Sequence, residues 1–75
     1  MSWVTRATAA DGFVGSWVSW RESCEEVRAA YRRWSGSSRT ERGLAFDGYR
    51  AALHREHHAA RVYADWAERL DALER

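Results

Sequence analysis

The sequence predicts an all-α chain: an antiparallel two-helix hairpin with an N-terminal arm, assembled as a dimeric four-helix bundle. Three observations carry that expectation. There is no proline in 75 residues. Apolar residues recur at the alternating spacing of a coiled-coil seam, with charges between them. The only stretch with the composition of a loop, SGSSRT at residues 35–40, lies near the middle of the chain.

Residues 1–15, MSWVTRATAADGFVG, are expected to form an arm or a short helix. Gly12 and Gly15, free to take many backbone conformations, leave the path open between the two. The hairpin domain then occupies residues 16–75. Its first helix is expected over about residues 16–35, carrying Trp17, Trp20, Cys24, Val27, Tyr31 and Trp34 on one seam. Ser16 is placed to cap it, or Ser19 with Glu22 to form a capping box one turn later. Gly36 suits a left-handed residue at its end.

The second helix is expected over about residues 39–74, opened by a capping box of Ser38 and Glu41. Its seam reads Ala45, Tyr49, Ala52, Glu56, Ala59, Tyr63, Trp66, Leu70 and Leu73, with Phe46, Leu53, Ala60 and Ala67 widening it. A helix of about 35 residues is about 52 Å long, roughly twice the reach of the first. A turn near residues 36–39 makes the two antiparallel neighbours. Tyr31 is then expected opposite Ala45, Val27 opposite Tyr49, Cys24 opposite Ala52, Trp20 opposite Glu56 and Trp17 opposite Ala59. Large side chains of one helix face small ones of the other, as interdigitated packing requires.

Unequal helices leave Tyr63, Trp66, Leu70 and Leu73 without a counterpart, except for whatever the N-terminal arm supplies through Trp3, Val4, Phe13 and Val14. Burying a large side chain is worth about 1.5–3 kcal/mol. A core this small supplies only about 3–5 kcal/mol, and Cys24 is the single cysteine, so no disulfide closes within one chain. A second copy of the chain answers both problems. Tyr63, Trp66, Leu70, Leu73 and Trp3 are therefore the expected contact residues, for self-association or for another protein. Cys24 is expected to be a buried, inert thiol.

Composition bounds the function. All 12 basic residues are arginine, as GC-rich codon usage of the actinobacterial kind produces. The formal net charge of +1 gives no global field for nucleic acid. No apolar run approaches the ~20 residues of a membrane span, and no signal peptide opens the chain, so a cytoplasmic location without membrane contact is expected. Locally, Arg28, Arg32, Arg33, Arg39 and Arg42 gather at the loop end against Glu41 alone. Such a cluster suits phosphate, and a small nucleic-acid-binding regulator is the alternative function.

Three histidines crowd LHREHHAARVY, residues 53–63. His54 and His58 share one helical face, turned away from the seam, with His57 at its border beside Leu53. Asp47 and Asp65 are each a heptad away from that pair, about 10 Å along the axis. Neither the H-E-x-x-H nor the Glu-x-x-His pattern is present. A solvated face is expected, and a metal-responsive helix pair through His54 and His58 is the second alternative. Glu56 is the anomaly: a carboxylate in mid-seam needs a partner, either the indole of Trp20 or an arginine. No second carboxylate accompanies it, so no catalytic group and no cofactor are expected. The expected function is that of a non-catalytic interaction and oligomerisation module.

Overall fold

A computed structural model describes residues 3–75 of the chain. Helix α1 is Trp3–Ser35 and helix α2 is Arg42–Glu74, each of 33 residues. They lie side by side and antiparallel, as the pairing of Phe13 with Tyr63, Trp20 with Glu56 and Tyr31 with Tyr49 requires. The result is a rod of 58 × 13 × 12 Å.

The helices are therefore equal, and the expected separation of an arm at residues 1–15 from a first helix starting at residue 16 is corrected. Residues 3–15 are the opening turns of α1. Ala7, Ala9 and Ala10 favour helix, and the seam continues backwards, with Phe13 one heptad before Trp20 and Ala9 one heptad before Ser16. Ser16 and Ser19 consequently cap nothing. Ser16 is buried in mid-helix, where its Oγ donates to the Phe13 carbonyl at 2.8 Å. The Ser23 hydroxyl donates in the same way to the Ser19 carbonyl at 3.0 Å.

The turn spans residues 36–41. Its backbone stays in ordinary conformations, with no positive φ at any described residue. Gly36 is thus not the left-handed cap expected of it. Its N–H instead donates to the Arg32 carbonyl at 3.0 Å, while the Ser37 N–H and hydroxyl both reach the Trp34 carbonyl, at 3.2 and 2.6 Å. These bonds satisfy carbonyls that the helix end would otherwise leave unpaired. Half of the second capping box forms: Ser38 Oγ accepts the Glu41 N–H at 3.3 Å. Glu41 itself has near-helical angles, and its side chain makes no capping bond.

Away from the turn the pairing is the expected one, since Trp20 meets Glu56. Near the turn it runs further along α2. Tyr31 packs on Tyr49 rather than Ala45, and Trp34 packs on both Phe46 and Tyr49.

Equal lengths also change the fate of Tyr63, Trp66, Leu70 and Leu73. All four are half-buried rather than bare. Tyr63 lies between Phe13 and Trp20, with ring centroids at 5.1 and 5.4 Å. Trp66 lies across Gly12 so closely that a Cβ built there would stand 2.6 Å from the indole. Glycine is tolerated in mid-helix at this point because its missing side chain is the seat of another.

The core remains thin. Only Ala9, Ala30, Ala52 and Ser16 are buried among the described residues, and no large side chain is fully enclosed. Two helices can give each side chain neighbours on one flank only. Small residues take the closest approach, and every large one keeps a flank in water.

Candidate interaction surface

At about 100° per residue, Ala9, Ser16, Trp20 and Val27 point from α1 towards α2. Val14 and Trp17 stand a quarter-turn or more to one side of that direction, and Val18 points away from α2. On α2, Phe46 and Leu53 stand about a quarter-turn from Ala52. Because the helices are antiparallel, the two displacements fall on the same side of the rod. That side presents one apolar face: Val14 and Trp17 on α1, 56% and 43% exposed, Leu53 on α2, 37% exposed, and Phe46 and Tyr31 towards the loop. Ala60 and Ala64 continue it along α2.

The other side differs in kind. Its middle carries Ser19, and Arg55 donates from Nε to Glu26 at 3.3 Å. Clefts notch its two ends. One, of about 520 Å³, lies at the loop between Ala30, Arg33, Glu41 and Leu44. The second, of about 550 Å³, is at the open end between Val4, Thr8, Trp66 and Leu73, roofed by the Arg69 guanidinium 4.7 Å above the Trp66 ring. Leu44, 81% exposed, is the one prominent apolar side chain in mid-cleft.

The residues singled out from sequence are placed as follows. Tyr63, Trp66, Leu70 and Leu73 pack against the opening turns of α1, while Trp3 is 73% exposed. Glu56 accepts the Trp20 indole N–H at 2.8 Å, the first of its two expected partners. Both are half-buried rather than fully buried. The bond gives a mid-seam carboxylate its partner.

Arg28, Arg32, Arg33, Arg39 and Arg42 are all exposed around the loop end. Arg28 is engaged by Glu25 one turn earlier. Arg32 and Arg33 occupy the last turn of α1, where the helix dipole favours a cation. His54 and His58 are exposed on the outer surface of α2. No group of three or more His, Cys, Asp or Glu among the described residues is placed to hold a metal ion. Cys24 is a free, half-buried thiol. No described helix is long and apolar enough to cross a membrane.

Sequence reasoning missed two features. Trp17 was assigned to the seam, yet it belongs with Trp3, Ala10 and Val14 to a second apolar stripe. That stripe was visible as the spacing 3, 10, 14, 17. Gly12 was read only as leaving the path of residues 1–15 open between arm and short helix. Its signal was the run of small residues Ala9, Gly12, Ser16, Ser23 and Ala30, which marks the flank of α1 that α2 can approach.

No family model, curated protein or solved structure matches the chain.

Proposed function

We propose that this chain is a self-associating helical hairpin that works by macromolecular contact and carries no catalysis. One observation supports the reading above the others. The chain exposes 5790 Å², whereas a compact monomer of 8.7 kDa exposes about 4,700 Å². Trp3, Val4, Val14, Trp17, Val18, Tyr31 and Leu44 are among the large apolar side chains left exposed. Exposed apolar side chains gathered on one face mark an interaction site.

A catalytic reading has little to stand on: Glu56 is occupied by Trp20, and the histidines lie on the outer surface, apart from both clefts. Sedimentation equilibrium tests the proposal. The expected mass is a multiple of 8.7 kDa at micromolar concentration. A folded monomer at every concentration refutes it.

A second reading has one observation in its favour, the gathering of five exposed arginines around the loop. In that reading the loop end grips phosphate of a nucleic acid. Duplex binding with a steep salt dependence, lost on replacing Arg32, Arg33 and Arg39, is its expected result. Binding that is absent at low salt removes it.

A further inference from the structure

We infer that the partner on the Trp17–Leu53 face is a second copy of this chain, docked face to face with its loop at the opposite end of the rod. This rests on the self-association proposed above and adds the surface, the occupant and the orientation.

Area suits one copy on one face. The chain exposes about 1,000 Å² more than a compact monomer of its mass, and a standard interface removes about 800 Å² from each partner. At mid-rod the face carries Trp17 and Leu53, with the Arg21 guanidinium 5.8 Å over the Trp17 ring, whereas the opposite side carries the Glu26–Arg55 pair there.

Shape points to orientation. Along α2 the face is large near the loop, at Phe46 and Leu53, and small further on, at Ala60 and Ala64. Along α1 Val14 and Trp17 lie towards the open end, Cys24 lies nearer the loop, and Tyr31 follows it. A two-fold axis across the middle of the rod sets each helix on its own copy, reversed. Leu53 then faces the alanines of the partner's α2, and Val14 faces the thiol level of the partner's α1. Bulk meets hollow along α2.

Charge points the same way. The loop end carries five arginines against Glu41 and Asp47. At the open end, the last turns of α2 carry Asp65, Glu68, Asp71 and Glu74 against Arg69 and Arg75, while Arg6 and Asp11 balance on α1. Opposed rods lay the basic end of one copy along the acidic end of the other, with Arg50 near the partner's Glu68. Copies with both loops together would bring the two arginine-rich ends side by side.

Two measurements on the full chain test the inference. In sedimentation equilibrium, Trp17→Glu and Leu53→Glu are expected to bring the mass from twice 8.7 kDa down to 8.7 kDa. Leu44→Glu, on the other side, is expected to leave the mass unchanged. Circular dichroism must show helix in each variant. If Leu53→Glu unfolds, Leu53→Gln supplies the same comparison.

For orientation, a spin label at Thr40→Cys in a Cys24→Ala background is expected to give a label-to-label distance of about 50 Å, set by helix length. A distance below about 25 Å overturns the opposed arrangement. An intact wild-type oligomer that survives Trp17→Glu and Leu53→Glu but dissociates with Leu44→Glu overturns the assigned face and leaves self-association standing. A wild-type monomer overturns both.

Discussion

The two ends of the rod solve the same problem differently. At the loop end the helices are tied by six residues and held apart by rings: Trp34 stacks on Tyr49 at 5.4 Å and tilts against Phe46 at 5.2 Å, with Tyr31 edge-on at 6.0 Å. At the open end no covalent link exists, and the helices interlock by one ring in one notch, Trp66 over Gly12. The loop end tolerates width because the chain closes it. The open end needs close approach because packing alone closes it.

Substitutions can break that contrast, and the largest effect belongs to the ring cluster. Trp34→Ala removes the ring on which Tyr31, Phe46 and Tyr49 converge. The expected loss is about 3 kcal/mol in urea unfolding. Gly12→Ala comes next. Its Cβ would sit 2.6 Å from a rigid indole, and overpacking of this kind costs about 1–3 kcal/mol. The cost is expected to vanish when Trp66→Ala is made first, in a double-mutant cycle. If Gly12→Ala is stabilising on its own, the notch is not what holds the open end.

Smaller effects sharpen the picture of the middle. Glu56→Ala leaves the Trp20 N–H without its 2.8 Å acceptor, for an expected loss of about 1–2 kcal/mol. Glu56→Gln keeps a carbonyl acceptor and is expected to recover most of it. Gly15→Ala is the counterpart of Gly12→Ala: nothing lies within 4 Å of the added methyl, so helix propensity alone acts and a gain of about 0.5–1 kcal/mol is expected. Smallest of all is Glu26→Ala. Its pair with Arg55 is more than half exposed on both sides, and thermal unfolding is expected to show no change beyond error.

How legible this was depends on the kind of signal. The hairpin, the loop and the Trp20–Glu56 bond were readable, because heptad spacing fixes a face and an antiparallel turn fixes what stands across it. The start of α1 was not. Gly12 and Gly15 look identical to a propensity scale, and only the position of Trp66 shows that one of them is a seat. The capping serines misled for a related reason, since a serine in mid-helix can return its hydroxyl to a carbonyl one turn back, as Ser16 does. The expected dimer rested on unequal helices, and that premise fell with the extension of α1. What supports assembly now is a different quantity, the apolar surface that two equal helices leave uncovered. The Val14–Trp17 stripe was hidden because Trp17 satisfies two spacings, and one helix seen alone does not say which.

The central claim is that a second copy completes this fold. Anything that binds the folded state alone raises its melting temperature with concentration. Thermal unfolding followed by circular dichroism over a hundredfold range of protein concentration is therefore the direct measurement. A melting temperature that climbs steadily with concentration is the expected result. One that stays constant across the range, with full helicity at the lowest concentration, contradicts it.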